Sequence, residues 1–116
     1  MENKNRVTTT IPEILYTYLG SLGKEWFNLN KRLIVQNAYD YCTELPEQEL
    51  DFKMSEVASK YYKLFTHKMK TRLVHVDTVE PMKKYQSNIL ITLYILVFLH
   101  DHKEELNINE EILISV

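Results

Sequence analysis

One strand signal near the start of the chain constrains the fold more than any other feature. Residues 7–11 are all β-branched, and Pro12 ends the run. β-Branched side chains favour the extended conformation. A strand also needs a partner for its backbone N–H and C=O groups. Because most of the remaining sequence has a helical pattern, the source of that partner decides the architecture.

Two helices are predicted directly after the strand. Pro12 and Glu13 are typical of a helix start. Apolar residues then recur at helical spacing as far as Trp26. Asn30 is a suitable N-cap for the second helix, which carries an apolar stripe of its own. The acidic residues 43–51 are predicted to form a connector.

The second half of the chain is also predicted to be mainly helical. A third helix is expected over residues 54–73 and a fourth from Pro81 to about Leu106, with residues 74–81 irregular or a short strand. Residues 89–99 are apolar all round, so this part of the fourth helix must be buried on every side. It is shorter than the roughly 20 residues that a membrane-spanning helix needs, so no membrane partner is expected.

Charge alternates along the chain although the net charge is only −2. Residues 53–84 hold eight basic and three acidic residues, whereas residues 33–52 and 85–116 are both acidic. A basic surface can exist on a protein that is close to neutral overall. The alternative is that the basic and acidic segments neutralise each other within the fold.

The sequence carries no motif for catalysis or metal binding. It has no glycine-rich phosphate loop, nucleophile elbow or HExxH pattern. The run from His100 to His102 invites a metal interpretation, but positions i and i+2 do not share a helix face. The single Cys42 excludes an intrachain disulfide and fits a reducing cytosol, and the first residues do not resemble a signal peptide. We therefore expect a cytoplasmic protein that is not an enzyme and uses no cofactor or metal.

Three sources could supply the partner of the strand. Residues 73–79 and residues 111–116 are internal candidates, and the third source is the same strand of a second molecule. We favour the second molecule, because two copies aligned antiparallel about a two-fold axis satisfy each other's backbone groups.

Alternation along the strand predicts a ribbon with two different faces. Arg6, Thr8 and Thr10 point to one side and are polar, whereas Val7 and Ile11 on the other side are apolar. The major groove of DNA admits a two-stranded ribbon of this kind. The alternative is an ordinary edge strand on the protein surface that has no role in DNA binding.

At this point the sequence resembles the ribbon-helix-helix DNA-binding family, the MetJ/Arc/CopG class. The resemblance covers residues 6–42 and is carried by RVTTTIPEILYTYL (residues 6–19) and LNKRLIVQNAYDYC (residues 29–42). It implies an obligate intertwined dimer, a ribbon in the major groove, and phosphates bound at the start of the second helix. The implied fold is mainly α, with a ribbon-helix-helix module over residues 1–45 and a helical module for oligomerisation or partner binding over residues 46–116.

The resemblance also assigns roles to individual residues. The base-contacting positions are Arg6, Thr8 and Thr10. The phosphate-contacting positions are Asn30, Lys31 and Arg32; the alternative for Lys31 and Arg32 is that they are plain solvated residues. The implied dimer core consists of Val7, Ile11, Leu15, Leu19, Trp26, Val35, Ala38 and Tyr39. The chain departs from the family pattern at Thr9, where a larger apolar residue is usual, and in the turn before Asn30, which lacks the usual glycine.

Three functions fit these observations. The first is a homodimer, or a tetramer, that binds double-stranded DNA as a transcriptional regulator. The second is an accessory protein at a plasmid origin of transfer or partition site, with a protein partner held by residues 52–116. The third is a helical interaction protein that does not bind DNA, such as an inhibitor or antitoxin. The first two imply a prokaryotic, phage or plasmid-encoded chain.

Overall fold

A computed structural model of the protein describes residues 5–22, 31–66, 70–78 and 84–115. The fold is mainly helical and contains one two-stranded antiparallel sheet. The elements in chain order are β1 (Asn5–Pro12), α1 (Glu13–Leu22), α2 (Lys31–Glu44), α3 (Glu47–Lys60), α4 (Lys63–Thr66), β2 (Thr71–Thr78), α5 (Lys84–Asp101) and α6 (Glu111–Ile114).

The partner of β1 comes from the same chain. β1 pairs antiparallel with β2, in a register that runs from Asn5 opposite Thr78 to Pro12 opposite Thr71. The preference for a second molecule was therefore wrong for this edge of β1, and one of the two internal candidates is the partner. The other internal candidate contains α6 instead.

The predicted third helix was wrong at both ends. α3 begins at Glu47, inside the predicted connector, because Pro46 and the acidic first turn favour a helix start there. It ends at Lys60, and the chain continues through a short turn into α4. Residues 71–73 belong to β2, where alternate side chains are buried, as in a strand with one covered face.

The predicted fourth helix is present but ends earlier than expected, at Asp101. Turns follow it, and Asn107 adopts a left-handed conformation with φ of 51°. Asn tolerates this conformation better than most residues do. Among the described residues, no helix combines the length and hydropathy that crossing a membrane requires.

A single hydrophobic core contains residues from every element listed above. Its centre is α5, in which Ile95, Leu96 and Val97 are fully buried. α5 packs against α2, α3 and β1, so the apolar segment of the fourth helix is covered by its own chain. The core therefore extends across the predicted module boundary near residue 46.

Candidate nucleic-acid interface

The two faces of the sheet differ as the alternation in β1 predicts. The face turned to the core buries Ile11 of β1 and Val74 and Val76 of β2. The opposite face, which we call the outer face, carries two rows of exposed or half-buried side chains. The row on β1 consists of Arg6, Thr8 and Thr10, and the row on β2 consists of Thr71, Leu73, His75 and Asp77.

Side chains from the two rows contact each other across the sheet. Arg6 lies opposite Asp77, with its Nε 3.4 Å from the Asp77 Oδ1. Thr8 lies opposite His75, and the Thr8 Oγ1 is 3.0 Å from the His75 Nδ1. These contacts hold polar side chains upright on a surface that remains open to solvent.

Gln36 on α2 shows which way the strand backbones point. The Asp77 N–H donates to the Gln36 Oε1 at 2.8 Å, and the Gln36 Nε2 donates to the Asp77 C=O at 3.0 Å. The backbone groups of Asp77 therefore point away from β1. In an antiparallel pair, two opposite residues point their backbone groups either both toward each other or both away, and the two arrangements alternate along the strands. Arg6 is opposite Asp77 and Thr8 is two residues further on. The backbone groups of Arg6 and Thr8 therefore point away from β2, toward the outer edge of β1.

Two exposed cations stand at the α1 end of the ribbon. The Arg72 Nε lies 3.3 Å from the Glu13 Oε1, and the Arg72 guanidinium is over the Tyr16 ring at 5.7 Å. Lys70 is also exposed, and its C=O accepts a hydrogen bond from the Glu13 N–H at 2.9 Å. Because Arg72 lies opposite the buried Ile11, its side chain leaves the sheet on the core side and pairs with α1 rather than adding charge to the outer face.

Other cations of the basic segment are neutralised inside the fold. The Lys53 Nζ lies 3.0 Å from the Asp101 Oδ2, and the Lys60 Nζ lies 2.6 Å from the Glu110 Oε2. The alternative of mutual neutralisation between the basic and acidic segments therefore holds for these two lysines. It does not hold for Lys70, which has no ion pair among the described residues.

Two of the predicted DNA-binding positions can be placed only by their backbone. α2 begins at Lys31, followed by Arg32, so these residues form the first turn of the second helix. Their side chains lie outside the described part of the structure, and so do all of Asn30 and Trp26.

The remaining residues of the implied dimer core are covered by their own chain. Val7 is partly buried on the inner face of the sheet. The others are buried, namely Ile11, Leu15, Leu19, Val35, Ala38 and Tyr39.

The residues from His100 to His102 point in three directions. The His100 Nε2 lies 2.9 Å from the Glu56 Oε1, and the His102 Nδ1 lies 2.8 Å from the Phe98 C=O. Asp101 faces α2 and α3. No group of three or more His, Cys, Asp and Glu side chains in the described ranges is arranged to hold a metal ion.

Asp101 is the centre of a polar cluster that sequence reasoning did not anticipate. It accepts a hydrogen bond from the Tyr41 hydroxyl and pairs with Lys53, so α2, α3 and α5 meet at this carboxylate. Burial alone would raise the Asp101 pKa, but the hydrogen bonds from Tyr41 and Lys53 and the Lys53 charge outweigh it and lower that pKa. Burial also raises the pKa of Tyr41.

An apolar groove lies between α1 and α6. It has a volume of about 410 Å³ and is lined by residues of α1 and by Ile112 of α6. Ile14 and Ile112 are both partly open to solvent there. The Tyr18 hydroxyl anchors the segment before α6, because it accepts a hydrogen bond from the Asn109 N–H at 2.7 Å.

Comparison of the chain with protein-family models, with curated proteins and with solved structures finds no match.

Proposed function

We propose that this protein binds double-stranded DNA in a sequence-specific manner through the outer face of the β1–β2 ribbon, and acts as a transcriptional regulator. The observation that carries the proposal is the polar row formed by the exposed Arg6 and Thr8 and the half-buried Thr10. A two-stranded antiparallel ribbon has the dimensions that the major groove, about 12 Å wide, accommodates.

The side chains of this row have the chemistry of base recognition. Arginine can donate two hydrogen bonds to the O6 and N7 of guanine. The Arg6 side chain is 55% exposed, while Asp77 holds its Nε in place. The threonine hydroxyls can bond to any base edge, and the threonine methyl groups can contact thymine.

Phosphate binding is proposed for the start of α2 and for the α1 end of the ribbon. At the first turn of α2, Lys31 and Arg32 coincide with free backbone N–H groups and the positive end of the helix dipole. Asn30 would complete that site. Lys70, which is exposed just before β2, would add a positive charge at the α1 end of the ribbon.

A homodimer remains part of the proposal. Each copy would present its own β1–β2 ribbon to the DNA, and tetramers would require a further interface. The same DNA chemistry also suits an accessory protein at a plasmid transfer or partition site, with a partner bound to residues 52–116.

One observation favours a second candidate function. The groove lined by Ile14, Tyr18 and Ile112 presents apolar surface between α1 and α6. Such a groove suits a small interaction protein that does not bind DNA. In that case the polar row on the ribbon would be an ordinary solvated surface.

Selection of bound duplexes from a random DNA pool tests the proposed function. The expected result is enrichment of a defined motif, together with reduced discrimination by Thr8→Ala in competition binding. Thr17→Ala, at an exposed threonine on α1, is the matched control and should behave like the parent. Failure to enrich any motif, with no binding to random duplexes at low salt, would contradict the proposal.

A further inference from the structure

The pairing of β1 with β2 changes which side chains can reach a groove. Neighbouring strands in a sheet lie about 4.8 Å apart, so the two rows of the outer face lie side by side within one groove width. Wherever Arg6, Thr8 and Thr10 dock, the row on β2 docks beside them. The base-contacting positions predicted from the sequence all lie on β1 and include no residue of this second row.

A ribbon made of two copies of β1 would not fit the groove in the same way. Because β2 already occupies one edge of β1, adding a second copy at the other edge gives four strands. The outermost strands would then lie about 14 Å apart, which exceeds the major groove width of about 12 Å. The ribbon that enters a groove is therefore more easily supplied by one chain.

Leu73 is the anomalous residue of the β2 row. Its side chain is 63% exposed on a face that is otherwise polar, and it lies directly opposite Thr10. Its neighbour Val74 points into the core, so Leu73 does not contribute to the burial that holds the sheet.

The major groove offers one apolar feature that suits such a side chain. That feature is the 5-methyl group of thymine, which apolar side chains contact directly. We propose that the reading ribbon is complete within one chain and that Leu73 selects a thymine by contact with its methyl group. This inference rests on the proposed function. It specifies the ligand of the outer face as DNA with a thymine at a fixed position.

Replacement of single thymines by deoxyuridine in the selected duplex tests the inference. This change removes only the methyl group and preserves every hydrogen-bonding group of the base. At one position, the parent protein should bind the deoxyuridine duplex roughly three- to tenfold more weakly, the effect of one lost methyl contact. Leu73→Ala should bind both duplexes equally and should melt like the parent, because Leu73 is exposed.

Ile112→Ala provides the matched control, because Ile112 is an exposed aliphatic residue distant from the ribbon in the sequence. It should retain the parent's preference for thymine over deoxyuridine. If the parent selects a motif but no thymine depends on Leu73, the inference is overturned and the proposed function stands. If the parent binds no DNA, both are overturned.

Discussion

The side-chain amide of Gln36 forms two hydrogen bonds with the backbone of Asp77, one in each direction. The Asp77 N–H donates to the Gln36 Oε1 at 2.8 Å, and the Gln36 Nε2 donates to the Asp77 C=O at 3.0 Å. A residue of an added strand would make the same two bonds. α2 thereby covers part of the outer edge of β2 and fastens the ribbon to the helical core.

Removal of this amide should loosen the ribbon. We expect Gln36→Ala to lower the free energy of unfolding by about 2 kcal/mol, because it removes the two hydrogen bonds between the amide and the Asp77 backbone. Chemical denaturation measures the change. Asn37→Ala, at the exposed neighbouring position on α2, should cost much less. Equal stability of the two variants would contradict the role assigned to Gln36.

The two faces of β1 should separate stability from DNA recognition. Ile11 is fully buried, so Ile11→Ala should lower stability by roughly 2–5 kcal/mol. Thr8 is exposed, so Thr8→Ala should leave melting nearly unchanged. It should nevertheless reduce discrimination between target and random DNA by about 1–3 kcal/mol per lost contact. Thermal melts and competition binding test both variants, and reversed effects would contradict the orientation of the strand.

The start of α2 should control the salt dependence of DNA binding. Each phosphate contact contributes roughly 0.9 to the slope of log affinity against log salt. A variant with Lys31→Ala and Arg32→Ala should therefore have a flatter slope and weaker binding to all DNA sequences alike. Lys103→Ala, at an exposed lysine after α5, is the control. An unchanged slope in the double variant would remove these residues from the interface.

The Asp101 carboxylate should make the free energy of unfolding decrease as the pH becomes acidic. Its pKa is lowered in the folded protein, so its contribution is present above its unfolded pKa and is lost as pH falls through the lower folded value. We expect Asp101→Asn to lose about 1.5–3 kcal/mol at neutral pH and to show a shallower decline toward acid. Urea denaturation between neutral pH and pH 3 measures this.

The control for Asp101 is Glu105→Gln, at an exposed carboxylate, which should follow the parent's pH profile. Lys53 gives an opposite check, because its hydrogen bond to Asp101 raises its pKa. Its contribution should be present below its usual pKa and should be lost as pH rises through the higher folded value. If the stability of Asp101→Asn declines toward acid pH as steeply as that of the parent, the role assigned to the cluster is contradicted.

Cys42 should report opening of the core. Burial raises the pKa of its thiol to about 12, and the thiol donates a hydrogen bond to the Tyr94 C=O at 3.4 Å. The thiolate is the reactive form, so a thiol reagent at pH 8 should label the folded protein slowly and the unfolded protein quickly. Because Cys42 is the single cysteine, the label needs no other variant. Rapid labelling under native conditions would contradict the burial of this site.

Local patterns in the sequence predicted several elements correctly. The β-branched run gave β1, and Pro12 with Glu13 marked the transition to α1. The uniformly apolar segment predicted the burial of α5. Each of these signals depends on residues close together in the chain, where spacing and local backbone preference decide the structure.

The remaining features depend on residues that are far apart in the chain. The apolar residues before Thr71 continue a helical spacing and so predict a helix there, whereas packing against β1 selects the strand. The cluster of Tyr41, Lys53 and Asp101 leaves no local pattern at all. Leu73 likewise has no local signal, because the role of an exposed leucine depends on the strand and the face on which it lies.

The distance along the chain between β1 and β2 also affects synthesis. Pro12 pairs with Thr71 and Asn5 with Thr78, so a ribosome that adds about 5–20 residues per second needs roughly 3–12 s to supply the second strand. During that time residues 7–11, which carry no charge, have no strand of their own chain to pair with. Short uncharged segments of high β-propensity associate with identical segments. Neighbouring nascent chains on one messenger RNA expose the same segment together, so translation speed between these two strands should influence the yield of folded protein.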